Sequence, residues 1–133
     1  MEDFVSFELA KKLKAKGFSC DTPFAMYNEI GVFHECYTSV GNMNYYDYDD
    51  FDNRDYIAPT ISQVLKWLRK EKMVHISPVL WKIGWYVDIL IFADNECDEN
   101  VAYDIKDEYQ LDDYETYEEA MFKGIEYVLD NLI

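Results

Sequence analysis

His34 and Cys36 stand two residues apart in a β-prone run, and a spacing of two returns side chains to the same face of a strand. An imidazole and a thiol on one face can begin a zinc site, completed in three dimensions by Cys20, His75 or Cys97, or can serve as a base and nucleophile pair. The local sequence adds nothing to either chemistry. The three cysteines are odd in number and none lies in a C-x-x-C spacing, so neither a disulfide framework nor a zinc ribbon is indicated. The plainer reading makes the cysteines reduced, small buried hydrophobes and both histidines ordinary strand residues.

Carboxylates are the second candidate chemistry. Hard cations take several oxygen ligands at alternating positions, as in the twelve-residue calcium loop. Counted from Asp94, positions one, three and five are Asp94, Glu96 and Asp98, but position six is Glu99 where glycine is needed and position twelve is Ile105. Counted from Asp47, position five is Phe51 and position twelve is Ala58. Neither segment is an EF-hand, and no cofactor is implied. General acid and base work needs two carboxyls in contrasted environments. Asp88 is the one acid inside a strongly apolar strand, which marks it for perturbation, although an outward strand position among Tyr86 and Leu90 is the plainer reading and is preferred. No P-loop, dinucleotide fingerprint, serine elbow or His-Glu-x-x-His is present, so the sequence reads as a non-enzyme.

What remains is an acidic, tyrosine-rich surface. The 133 residues carry 27 Asp and Glu against 12 Lys and Arg, a formal charge of −15, with twelve tyrosines. That charge far exceeds the magnitude of about 2–8 common for a small domain, and it repels phosphate backbones and anionic membranes. Nucleic acid and membrane are therefore excluded as expected partners, and a basic protein is the partner the charge would attract. Five Asp lie between positions 47 and 55, and the segment from Asp94 to Glu119 holds twelve acids and one Lys. Tyrosine supplies amphipathic contact area at low entropic cost, which suits a protein-binding surface. The candidate partner-binding residues are Tyr48, Asp49 and Asp50 in the first acidic segment, and Asp98, Glu99, Asp107, Asp112 and Asp113 in the second. In the extreme, such a face imitates DNA and occupies a DNA-binding host protein. A solubilising role for the acid is the plain alternative.

These residues must be positioned by a folded body, because half the chain is hydrophobic and 17% is aromatic, unlike a disordered acidic tail. The length is one domain's worth. An acidic start, Met1-Glu2-Asp3, lacks the basic region of a secretory signal, and no stretch approaches 18 uninterrupted apolar residues, so the expected compartment is the cytoplasm.

From Phe4 to Lys16, Val5, Leu9 and Leu13 recur every four residues among lysines, an amphipathic helix closed by Gly17 and Phe18. Two β-prone runs, Phe24 to Tyr27 and Val32 to Tyr37, flank Asn28-Glu29-Ile30-Gly31 and predict a hairpin. A long acidic Tyr- and Asp-rich loop follows, at about 38–55. A capping box, Thr60-Ile61-Ser62-Gln63, opens a second helix with Ile61, Val64, Leu65 and Leu68 as its core stripe, Trp67 at its flank and Lys66, Arg69, Lys70 and Lys72 outside. Three strands are expected next, Met73 to Val79, Trp85 to Phe92 and Val101 to Ile105, with turns at Lys82-Ile83-Gly84 and from Asp94 to Asn100. A second capping box, Thr116-Tyr117-Glu118-Glu119, opens the last helix. The order helix, hairpin, helix, three-strand meander, helix predicts a single α+β domain with three helices packed on an antiparallel sheet.

Three stretches of wording carry a resemblance: Val5 to Phe18, Tyr56 to Arg69, and Thr116 to Ala120 together with Ile125 to Leu129. In these the chain resembles a group of small uncharacterised proteins of gut bacteria and their phages or mobile elements. The shared features are helix starts and core faces, so no catalytic residue is carried over. A mobile-element setting favours a host-factor-binding or mimic role. The helix–strands–helix order from Thr60 onward is also that of double-stranded RNA-binding domains, but the last helix lacks the basic start that would grip phosphate. The expected function is a non-enzymatic interaction or accessory protein.

Overall fold

A computed structural model describes residues 3–20, 23–35, 54–93 and 105–133. The protein is α+β, and the described residues form three helices and two antiparallel three-stranded sheets. It divides into two compact units, Met1–Val64 and Leu65–Ile133.

In the first unit, helix α1 (Phe7–Ala15) starts where the Ser6 hydroxyl accepts from the Leu9 N–H at 3.2 Å. It stops at Gly17, whose φ of +85° lets the Phe18 N–H reach back to the Leu13 carbonyl. The expected start at Phe4 is too early by one turn, because Phe4 instead bridges Thr60 and the Val5 N–H donates to the Pro59 carbonyl. Strands β1 (Ala25–Tyr27) and β2 (Phe33–Glu35) form the expected hairpin. The Asn28 side-chain oxygen holds its turn by accepting from the N–H groups of Ile30 and Val32. A short strand, β3 (Tyr56–Ile57), which the sequence did not signal, pairs on the other side of β1. Phe7 of α1 packs its ring against Tyr27 and Tyr56, and the Tyr27 hydroxyl donates to the Val5 carbonyl at 2.6 Å. Buried Val5, Leu9, Leu13, Met26 and Ala58 complete this core.

Helix α2 (Ile61–Glu71) opens with the reciprocal hydrogen bonds its capping box implies. The Gln63 N–H donates to the Thr60 hydroxyl at 3.2 Å, and the Thr60 N–H donates to the Gln63 side-chain oxygen at 3.0 Å. Ile61, Val64 and Leu68 are buried as expected; Trp67 is buried too, whereas Leu65 is half-buried.

In the second unit, strands β4 (Val74–Trp81), β5 (Gly84–Phe92) and β6 (Ile105–Tyr114) form a meander in that order. Helix α3 (Tyr117–Asn131) covers one face, with the Thr116 hydroxyl accepting from the Glu119 N–H at its start. Register pairs Ile76 with Ile89 and Val87 with Leu111, so these side chains share the face toward α3. Gly124 brings the helix close to the sheet: a Cβ there would lie 3.1 Å from a Val87 methyl and 3.3 Å from an Ile76 methyl. The third strand corrects the sequence expectation. Among the described residues it runs from Ile105 to Tyr114, nine residues beyond the expected end at Ile105; residues 101–104 of the expected Val101 to Ile105 run lie outside the described residues. Ten residues rich in Asp and Glu have poor β-propensity, yet pairing along β5 overrides that preference. As the sheet's outer strands, β4 and β6 carry the devices that suit an edge, Pro78 in one and exposed carboxylates in the other.

Candidate functional site

His34 lies on β2 and Cys20 follows α1 in the first unit, His75 lies on β4 in the second, and Cys36 and Cys97 lie outside the described residues. Among the described residues no group of three or more His, Cys, Asp or Glu could hold a metal ion. The two calcium-loop candidates starting at Asp47 and Asp94 fall largely outside the described residues, as do Tyr48, Asp49, Asp50, Asp98 and Glu99. Asp88 lies half-buried on the face of β5 away from α3, between Ser77 and Gln110 in register.

Of the candidate partner-binding residues, Asp107, Asp112 and Asp113 are described, and all three are exposed on β6. Asp107 pairs with Ile91, whereas Asp112 and Asp113 meet at an irregularity near the strand's end. Val87 is opposite Leu111, yet Trp85 is opposite Tyr114, so β6 holds one residue more than β5 over this span. Asp113 takes up the extra length with a φ of +72°, a left-handed conformation that Asp tolerates better than most residues. A bulge breaks the alternation of a strand. Two successive acidic residues, Asp112 and Asp113, therefore line one cavity where a regular strand would send their side chains to opposite faces.

That cavity has a volume of about 290 Å³ and is formed at the β4–β5 hairpin end of the sheet. Besides Asp112 and Asp113, Trp81, Trp85, Tyr86 and Gln110 line it, with Ile83 and Gly84 of the turn. The turn is tight, since Trp81 pairs with Gly84 across Lys82 and Ile83. Gly84 has a φ of +148°, and a Cβ there would lie only 2.5 Å from the Tyr114 carbonyl oxygen. Only glycine lets the turn close against β6 in this way. The rings of Trp81 and Tyr86 meet edge to face, with centroids 6.3 Å apart and planes at 72°. On the other face Trp85 packs against Tyr117 of α3.

The hairpin tip is unusually apolar for an exposed place. Leu80, Trp81 and Ile83 are 67%, 58% and 80% exposed. Carboxylates surround it: residues 105–119 carry seven acids and one lysine. Their field is felt by Tyr114, whose phenol is held above its ordinary value by burial first and then by Glu119, Asp112 and Glu126. The arrangement has no nucleophile beside a base. It offers π-surfaces, an amide and two carboxylates in a concave site, which is binding chemistry. Sequence reasoning reached Asp112 and Asp113 through charge alone and missed Trp81, Tyr86 and Gln110. The available signal was two tryptophans flanking a tight Gly-containing turn. No helix among the described residues is long and apolar enough to cross a membrane. Comparison with protein-family models, with curated proteins and with solved structures found no match.

Proposed function

We propose that this is a non-enzymatic, cytoplasmic interaction protein that binds a basic protein partner through the hairpin end of the β4–β6 sheet. One observation carries the reading: exposed Trp81 and Ile83 line one cavity with Asp112 and Asp113, and exposed Leu80 precedes Trp81 in the strand. Protein interfaces combine an aromatic and aliphatic centre with a polar rim, and Trp is enriched among residues that dominate their energetics. Here the rim is acidic, so the complementary surface is basic. Charge of this density speeds encounter with such a partner and makes the association sensitive to salt.

The test is affinity capture at low and high salt with wild type and with a variant carrying Leu80→Ser, Ile83→Ser, Asp107→Asn and Glu108→Gln. The expected result is a basic protein retained by wild type at low salt, released at high salt and lost with the variant. Equal recovery of the same proteins by both chains would refute the reading. If the retained protein is DNA-binding and DNA competes for it, the partner belongs to the class that a DNA mimic would occupy.

A further inference from the structure

We infer that the cavity beside Trp81 receives one cationic side chain, a lysine or an arginine, from the basic partner. This deepens the interaction reading above and rests on it. Size is the first constraint. About 290 Å³ lies at the low end of small-molecule sites, which run from about 300 to 1,000 Å³, so the space suits one side chain better than a nucleotide or a cofactor.

The lining decides the chemistry. Trp81 and Tyr86 meet nearly perpendicularly, so they present π-surface along two different directions. A cation over such rings gains about 0.5–1 kcal/mol at an exposed site and about 2 kcal/mol where it is desolvated. The bulge adds Asp112 and Asp113 to the same space. An anion there would meet like charge, and a neutral apolar group would strip water from carboxylates without replacing its hydrogen bonds. A cation with an apolar stem satisfies both walls, its stem on the aromatic surface and its head at the carboxylates. Gln110 adds an amide oxygen as a further acceptor. No lysine or arginine of this chain is among the lining residues, and Lys82, although in the adjacent turn, is exposed.

Two features of the fold shape the site. Asp113 keeps its left-handed backbone at the bulge, and Gly84 lets the turn close against the Tyr114 carbonyl of β6. The aromatic wall and the acidic wall come from β4–β5 and β6, so the site exists only where the third strand has paired.

The test uses the full chain and short blocked peptides with a single lysine or arginine among serines and glycines. Controls carry acetyl-lysine or citrulline at that position. Binding is followed by the shift of the Trp81 indole N–H signal in nuclear magnetic resonance. Saturable shifts are expected with both cationic peptides and not with the neutral ones. Trp81→Leu, read through the Gln110 side-chain amide, and Asp112→Asn should each weaken binding about tenfold. Glu29→Gln, in the first unit, should leave it within about twofold. Both cavity variants change exposed side chains, and unchanged amide spectra away from the cavity establish that they fold. Equal binding of the acetyl-lysine peptide, or no shift with either cation, would overturn the inference. Peptide binding absent while salt-sensitive capture persists would remove this site alone. Capture absent while peptide binding persists would remove the protein partner, and with it the assigned source of the cation.

Discussion

Replacing Gly84 by alanine tests the geometry on which the site depends. Two costs are separable. The backbone at φ +148° is disfavoured for any residue with a side chain, and such conformations cost about 1–3 kcal/mol. The new Cβ would also begin 2.5 Å from the Tyr114 carbonyl oxygen, so β6 must retreat by about 0.5 Å merely to reach 3.0 Å. Overpacking of this kind costs about 1–3 kcal/mol, and the lower entropy of the unfolded chain returns about 0.4–1 kcal/mol. The net expectation is a loss of about 3 kcal/mol, or a fall in Tm of roughly 10 °C for a protein of this size. Gly17 provides the control. Its φ is +85° but nothing lies within 4 Å of its missing Cβ, so Gly17→Ala should cost about 1 kcal/mol from the backbone alone. Urea titrations of both variants with wild type give the difference directly. Equal losses for Gly84→Ala and Gly17→Ala, or a Gly84→Ala change under about 0.5 kcal/mol, would refute the close approach of the turn to β6.

Other consequences follow from single contacts. Thr116→Ala removes the hydroxyl that caps α3 and should cost about 1 kcal/mol in urea unfolding, with Thr116→Ser restoring most of it. The phenols of Tyr27 and Tyr114 both lie above the ordinary value of 10.0, Tyr27 through burial. Their stabilisation is therefore complete below about pH 10 and is lost above it, where the unfolded chain ionises first; changing both to Phe should flatten this alkaline decline in stability. A net charge of −15 repels itself, so Tm should rise from low to moderate salt, and an unchanged or falling Tm would contradict the weight given to that repulsion.

Much of the fold was legible because its signals are local. Thr60 with Gln63 and Thr116 with Glu119 announce two helices in four residues each; the first pair makes both reciprocal hydrogen bonds, and in the second the Glu119 N–H donates to the Thr116 hydroxyl. The alternation from Trp85 to Phe92 likewise marks β5. The stretch of β6 beyond Ile105 was not read because its identity is set by its neighbour: an acidic run is a poor strand alone, and the register with β5 makes it one. β3 is too short to carry a pattern. The site was half legible for the same reason. Charge picked out Asp112 and Asp113, but their convergence needs a bulge, and their aromatic counterparts Trp81 and Tyr86 come from other strands. Spacing along one chain does not encode a cavity assembled from three strands.

Titration of the full chain with an arginine- and lysine-rich peptide of defined sequence tests the central claim most directly. It compares wild type, Asp112→Asn/Asp113→Asn, and the charge-matched control Glu8→Gln/Glu29→Gln, whose changes lie in the first unit. Asn at position 113 retains the left-handed backbone. The site pair should bind about tenfold more weakly, whereas the control should stay within about twofold of wild type. Equal weakening of the two variants would contradict the account, because attraction would then follow total charge and not the hairpin end of the sheet.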